Sequence, residues 1–455
     1  MSFINRSKEL KYLDTYYERT GSQIFVMYGA KGIGKQAILT DFIADKPYYY
    51  YKARPASERE QLYQWAKELN ANQAKVPKHP QYDDIFSAIT DKSKRKKVIV
   101  IDEFQFFIKN SSAFIGKLVE LAHGQWNKSQ VMVILLSSQV GWVENSLVGK
   151  IGEQAYELSG FLKIKELGFY DITSINHRAN IRETIEAYAI LGGNPGIWKH
   201  FDDKLSIEKN ICQNILTPHV FLHHHAERIV ADELRETGIY NTILAAIAEG
   251  NHRLNDLYQH TGFSRAKISV YLKNLMELGL VEKVFSYEIE GNDKAGKGYY
   301  RISNHFVHFH FTYLYPYQSD LQRLTPVEFY KKYILPTFKS YVTHYFKLAC
   351  IARLEKWNRE GALPFKFEQC GEWSGKVGMI DIVAGEAGGK ILIALCNWEK
   401  PLLTYDDYEW LLFCAEKAGF SADYIYLFTA GRFDEKLDLE AKVKQNIRLI
   451  GVNDL

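Results

Sequence analysis

The sequence predicts an α/β protein built on a doubly wound parallel sheet, and three observations predict it. Ile24 to Tyr28 is a mostly apolar run that enters the turn Gly29-Ala30-Lys31-Gly32-Ile33-Gly34-Lys35 and leaves it into a helical pattern with Ile38, Leu39 and Phe42 on one face. Val98 to Ile101 is an unbroken β-branched run, the pattern of a strand buried on both faces, and it ends in Asp102-Glu103. Strand and helix patterns keep alternating to about residue 167, as βαβ units require.

The turn has the P-loop spacing G-x-x-x-x-G-K. Glycines let backbone N–H groups close around a phosphate that side chains would fend off, the following helix adds N–H donors, and Lys35 is placed to reach the outer phosphate oxygens. Gly29, Ala30, Lys31, Gly32, Ile33, Gly34, Lys35, Gln36 and Ala37 are therefore the candidate contacts to ATP or ADP. The spacing asks for Ser or Thr after the lysine as a Mg²⁺ ligand, and here it is Gln36. A plain strand-to-helix turn is the competing reading, and the downstream acidic pair weighs against it. Asp102, at the carboxyl end of its strand, is placed to hold Mg²⁺ directly or through water, and Glu103 to polarise an attacking water.

Composition sets the outer bounds. At 455 residues, 46% hydrophobic and 24% charged, the chain is long enough for about three folded domains. A net charge of +3 means that any binding of nucleic acid must come from a local patch. The start has no apolar core of signal-peptide length and runs such as Val131 to Leu136 are too short to span a bilayer, so a cytoplasmic protein with no membrane partner is expected. The five cysteines form no C-x-x-C pair and are expected to be reduced.

In chain order, Phe3-Ile4-Asn5-Arg6 precedes a short amphipathic helix that includes Lys8-Glu9-Leu10. Tyr48 to Ala53 reads as a strand, and Glu58 to Leu69 and Tyr82 to Thr90 as helices. Lys92 to Lys97 is either a nucleic-acid patch or a solvated lead into the acidic strand. Val131 to Leu136 is a further buried strand ending in Ser137-Ser138, where Ser138 either senses the outer phosphate or caps a helix. Asp171 to Thr237 is helical, broken at Gly192-Gly193-Asn194-Pro195-Gly196, and predicts a lid on the nucleotide domain. His223, His224 and His225 are consecutive and point different ways from a helix, against a shared metal.

Tyr240 to Ile302 predicts a winged helix. Helices containing Ile243 to Ile247 and Leu254 to His260 are followed by the cap Ser264 and a third helix with Ile268, Leu272 and Leu275 inward. Val281 to Tyr287 and Tyr299 to Ile302 make the hairpin. Arg265, Lys267 and Lys273 on the third helix are candidate contacts to double-stranded DNA, with a surface for a protein partner as the equal alternative. His305, His308 and His310 alternate with phenylalanines and read as an aromatic packing surface ahead of the alternative, a metal cluster, since no carboxylate or cysteine partner lies nearby in sequence. A helix over Tyr341 to Ala352 and strands at Gly378 to Ala384, Ile391 to Cys396 and Ala422 to Thr429 predict a second, smaller α/β unit.

With these residues assembled, nearly the whole chain resembles the archaeal-type ATPases of the AAA+/STAND P-loop group, whose C-terminal part resembles restriction-endonuclease-like nucleases. The resemblance is carried by Phe3 to Arg6 with Glu9-Leu10, the P-loop, Ile101 to Gln105, Gly192 to Pro195, Ile243 to Val281, Tyr300 to Ser303, Leu363 to Phe365 with Gly371 and Trp373, and Ile380 to Ala384. It implies an ATP-binding module over residues 1–168, a helical lid over 169–238, a winged helix over 239–303 and a nuclease-like domain over 304–455. It also implies that Asn5 and Arg6 lie near the adenine, and Pro195 joins the candidate nucleotide contacts.

The chain departs from that family in three places. Gln36 replaces the hydroxyl residue, and Gly160-Phe161 stands where Gly-Arg is common. In the nuclease-like part Phe346-Lys347 replaces Phe-Glu and Leu395-Cys396-Asn397-Trp398 replaces Glu-Cys-Lys-Trp, which leaves Asp381, with Glu368 or Glu372 as carboxylates near enough to migrate. The expected function is ATP binding with slow hydrolysis or a nucleotide switch, coupled to the winged helix and an inactive nuclease-like domain. The alternative is a non-catalytic regulatory or protein-interaction module, as in defence or toxin control, that uses nucleotide only for folding or switching.

Overall fold

A computed structural model describes residues 6–90, 95–108, 113–126, 130–175, 180–287, 298–386 and 388–455. Asn5, and residues 92–94 of the basic run from Lys92 to Lys97, lie outside the described residues. The chain forms two compact units, residues 3–166 with 194–196, and residues 167–193 with 197–455.

The first unit is built on five strands, β1 (Gln23–Tyr28), β2 (Tyr48–Lys52), β3 (Lys97–Asp102), β4 (Val131–Ser137) and β5 (Gly160–Lys163). All pair in parallel in the order β2-β3-β4-β1-β5. Side chains alternate between two cores. Phe25, Met27, Val98, Val100, Met132 and Ile134 face α1 (Ser7–Tyr17) and α2 (Lys35–Ile43). Ile24, Val26, Ile99, Ile101, Val133 and Leu135 face the helices Glu58–Ala71, Tyr82–Ile89 and Ala113–His123. Each such fully buried side chain contributes roughly 1.5–3 kcal/mol.

The alternation decides where the tyrosines of β2 go. Tyr51 stacks on Trp65 with ring centroids 4.2 Å apart, and Trp65 Nε1 donates to the Tyr49 hydroxyl at 2.9 Å. Tyr50 therefore projects to the opposite face, where α2 lies. With β4 between β1 and β3, the carboxyl ends of these strands bring the glycine turn, Ser137-Ser138 and Asp102-Glu103 to one edge.

In the second unit, the helices Thr237–Ala248, Leu254–Thr261 and Arg265–Glu277 precede the antiparallel hairpin β6 (Val281–Val284) and β7 (Tyr299–Ile302), the winged helix expected. Ile243, Ile247, Leu257, Ile268, Leu272 and Leu275 form its buried centre, and Ser264 Oγ accepts from Lys267 N–H at 3.3 Å as the N-cap. Towards the C-terminus come β8 (Gln369–Ser374), β9 (Met379–Gly385), β10 (Ile391–Asn397), β11 (Leu402–Leu403), β12 (Tyr424–Thr429), β13 (Arg432–Phe433) and β14 (Ile447–Gly451). They form a mixed sheet in the order β14-β12-β10-β9-β8, with β11 and β13 paired separately. The helix Phe338–Glu360, at 23 residues, extends well beyond the expected Tyr341 to Ala352.

The histidine clusters behave as packing. His223 Nδ1 lies 2.9 Å from Ile215 O, His224 Nδ1 lies 3.0 Å from Glu227, and the ring of His225 lies against Phe221. His305 Nδ1 meets Tyr188 O at 2.7 Å and His308 Nδ1 meets the Tyr345 hydroxyl at 2.6 Å. Among the described residues, no group of three or more His, Cys, Asp or Glu is placed to hold a metal, and no helix is long and apolar enough to cross a membrane. The five cysteines are free thiols.

Candidate nucleotide site

Two glycines of the turn are required by its backbone. Gly32 has φ +79° and Gly34 has φ +100°, conformations that side chains rarely adopt. Gly34 also caps α2, whose first intrahelical bond runs from Ile38 N–H to Gly34 O at 3.1 Å, so the first-turn N–H groups are directed into the loop. The Lys35 ammonium is folded back over that loop, donating to the carbonyls of Gly29 and, at 3.0 Å, Ala30. An anion in the loop would exchange those carbonyls for phosphate oxygens.

Arg6 braces the loop from beneath. It is 7% exposed, donates to Ile33 O at 3.2 Å and Lys165 O at 2.9 Å, and pairs with Glu9 at 2.9 Å. Both of its terminal nitrogens are thus engaged by the chain itself. On another side, Asn194 Nδ2 donates to Lys31 O at 3.0 Å, and Gly196 N–H donates to Gly32 O and to Asn194 Oδ1, both at 3.0 Å. A Cβ on Gly196 would lie 2.7 Å from Gly32 Cα, so this approach needs glycine. The contacts to the loop come from Asn194 and Gly196 on either side of Pro195.

Glu103 has φ +55°, an uncommon conformation for a residue of its size. The reversal lets Phe104 N–H reach Leu136 O at 3.1 Å and turns the Glu103 carboxylate toward the end of β4. There Oε2 accepts from Gln105 Nε2 at 2.6 Å, Ser138 Oγ at 2.8 Å and Ser138 N–H at 3.2 Å. Ser138 is therefore a partner of Glu103. It is not the helix cap, since the following helix Val140–Trp142 has Gln139 at that position.

Asp102 is 5% exposed, and both of its oxygens are engaged. Oδ1 accepts from Glu103 N–H at 3.0 Å and Oδ2 accepts from the Tyr50 hydroxyl at 2.6 Å. Tyr50 pairs with Val100 across β2 and β3, and Asp102 is two residues further on the same face, a diagonal that an aromatic side chain can span. Gln36 Nε2 lies 3.5 Å from the Tyr50 oxygen, the outer limit of a hydrogen bond. Burial and the neighbouring carboxylate push the Tyr50 phenol far above its ordinary range, so it remains protonated and a donor.

The loop and Lys35 fit a chain of phosphates. The donor set does not fit a divalent cation: the hydroxyl residue is missing, Gln36 is turned to Tyr50, and Asp102, expected as a metal ligand, is engaged by a phenol. No short-range pattern in the sequence connects Tyr50 to Asp102.

Elsewhere in the second unit, Arg265, Lys267 and Lys273 are exposed on the helix Arg265–Glu277. Arg265 lies over Tyr258 at 4.2 Å and Lys267 over Phe263 at 4.6 Å, while Lys273 is 3.8 Å from Glu277. In the C-terminal sheet, a register shift between Gly371 and Trp373 accompanies the burial of Glu372, which is 6% exposed. Of the two carboxylates expected near Asp381, Glu372 is the one buried close to it, and Lys347 Nζ contacts Glu372 directly. Burial raises Glu372 to about 7 and lowers Lys347, while Asp381 accepts from Cys396 N–H at 2.8 Å.

Comparison with known proteins agrees with this organisation. Residues 3–200 match the family described as an ATPase domain predominantly from Archaea, residues 241–283 the arsR family of bacterial regulatory proteins, and residues 310–409 a family of archaeal and bacterial proteins of unknown function. An uncharacterized protein of Methanocaldococcus jannaschii is 26% identical over 408 residues, covering 87% of this chain and 88% of that protein. Among solved structures, a Walker-type ATPase of Pyrococcus abyssi is 16% identical and covers 68% of this chain and 95% of its own, with a TM-score of 0.48. The ORC2 protein of Aeropyrum pernix in its ADPNP-ADP complexes is 13% identical and covers 70% of this chain and 94% of its own, with a TM-score of 0.46. Over the residues matched, the chain thus carries an archaeal-type ATPase domain, followed by an arsR-type helix-turn-helix and a C-terminal region similar to a family of unknown function.

Proposed function

We propose that this protein is an ATP-binding switch with slow turnover, whose nucleotide state controls a winged helix that binds double-stranded DNA. The observation that carries the reading is the glycine turn, with Gly32 and Gly34 in left-handed conformations and Lys35 opening α2. Slow turnover is supported by Gln36 after the lysine and by the engagement of Glu103 with Ser138 and Gln105, which a general base must leave to reach water. The four-part division at residues 168, 238 and 303 belongs to this reading, as does a cytoplasmic location, which suits five free thiols.

The basic residues Arg265, Lys267 and Lys273 support the DNA assignment, since cations along an exposed helix are what phosphates select. A second reading, a protein-binding surface, is favoured by Val270, which is 57% exposed on the same helix. The C-terminal sheet is read as nuclease-like and inactive, because Lys347 sits on Glu372 where a cation would be needed.

The test is duplex DNA affinity against salt, with and without ATP. A DNA-binding switch gives a log–log slope that falls by about one unit on Lys267→Ala, and an affinity that changes with ATP. Absence of any salt-dependent affinity favours the protein-partner reading.

A further inference from the structure

The donors around Asp102 form a closed arrangement that no feature of a phosphate loop requires. The Tyr50 hydroxyl donates to Asp102 Oδ2 at 2.6 Å, Glu103 N–H occupies Oδ1 at 3.0 Å, and Gln36 Nε2 stands 3.5 Å from the Tyr50 oxygen on the other side. Gln36 is the residue next to the phosphate-facing lysine, and Asp102 ends the strand where a cation-binding carboxylate is expected. Both positions that would ordinarily hold the metal are thus joined through one phenol.

From this geometry we infer that the site takes ATP and ADP without a protein-bound divalent cation, with the Tyr50 hydroxyl replacing the metal as the positive partner of Asp102. The inference rests on the nucleotide-binding reading above and deepens it. A phenolic O–H presents a partial positive charge to a carboxylate oxygen, so a cation at that oxygen must displace or share the bond. Gln36 cannot supply the short hydroxyl that would favour the exchange, and its amide N–H points at the phenol oxygen instead. The phosphate charge falls to Lys35, the loop N–H groups and the N-terminus of α2. A nucleotide held this way lacks the cation that aids departure of the outer phosphate, so it persists as a bound state, which suits a switch.

The experiment is calorimetric titration of ATP, and separately ADP, into the full chain in EDTA and in Mg²⁺. By linkage, a cation that the protein helps to bind must tighten nucleotide binding by the same factor. The expected result is an affinity in EDTA no more than about threefold weaker than in Mg²⁺. A Tyr50→Phe, Gln36→Thr double variant, which frees Asp102 and restores a hydroxyl, is expected to gain at least about tenfold in affinity from Mg²⁺. If the wild-type protein loses more than about threefold in EDTA, the inference is overturned while the nucleotide reading stands. If neither condition gives binding, the nucleotide reading falls and takes the inference with it. The wild-type measurement decides even where the double variant does not fold.

Discussion

Tyr50 and Asp102 are joined by a 2.6 Å hydrogen bond across adjacent parallel strands, with Gln36 reaching the same phenol from α2. Restoring the hydroxyl at position 36 alone leaves Asp102 engaged, so Gln36→Thr is expected to change the ATPase rate by less than about threefold. Combined with Tyr50→Phe it is expected to raise the rate at least about tenfold, and Glu103→Gln should abolish the gain. Phosphate release under saturating ATP and Mg²⁺ measures this. An equal gain from Gln36→Thr alone would show that Tyr50 exerts no restraint.

Asn194 fastens its segment to the loop through Lys31 O and Gly196 N–H. Removing both bonds in Asn194→Ala is expected to cost roughly 1–3 kcal/mol, seen as a lower melting temperature. Gly196→Ala must move backbone, because the new Cβ meets Gly32 Cα at 2.7 Å, and it is expected to weaken nucleotide binding as well. Unchanged melting and binding in both variants would remove Asn194-Pro195-Gly196 from the site.

Acid sensitivity is expected from the buried histidines of the second unit. Burial pushes His305 and His310 down to about 4 and His308 to about 3. In the unfolded chain each binds a proton near pH 6.5, so between that value and the folded one the unfolded state holds more protons. Stability from these residues is complete above about pH 6.5 and is lost as pH falls toward 4. Glu372, raised to about 7, acts in the opposite sense, since its contribution is present at low pH and lost as pH rises through 7. Burial also lowers His200, His223, His225 and His344 and raises Asp381, so that seven histidines stand against two carboxyls; melting at pH 5 is expected below that at pH 7, and His308→Phe should shrink the difference. A melting temperature independent of pH over this range would contradict the burial account.

Lys347 and Glu372 are both buried and in direct contact in the C-terminal sheet domain, whose proposed reading is nuclease-like and inactive. No cleavage of single- or double-stranded DNA or RNA is expected with Mg²⁺ or Mn²⁺, with or without ATP. Lys347→Met leaves Glu372 buried without the lysine cation and is expected to lower the melting temperature, more at pH 8 than at pH 5, where Glu372 takes up a proton. Cleavage that disappears in Asp381→Ala would overturn the assignment of an inactive sheet.

Much of this architecture was legible in sequence because it is periodic. The β-branched run before Asp102, the glycine spacing before Lys35 and the helical pattern after Ser264 each state their structure locally. β8 and β14 were not legible, since Gln369-Cys370-Gly371-Glu372-Trp373-Ser374 has no alternation and Ile447–Gly451 is short. The partners of Asp102 and Glu103 were hidden for another reason. Tyr50 reaches Asp102 only because strand pairing brings residues 52 positions apart onto one face, and Ser138 reaches Glu103 only because a left-handed backbone turns the carboxylate toward β4.

The central claim, that the loop from Gly29 to Lys35 holds a nucleotide, is tested most directly by calorimetric titration of ATP into the wild-type protein and into Lys35→Ala. Loss of the ammonium that now rests on Gly29 and Ala30 is predicted to weaken binding at least about tenfold, or about 1.4 kcal/mol. Equal affinity in the two proteins, or no ATP binding by the wild type, would contradict the account.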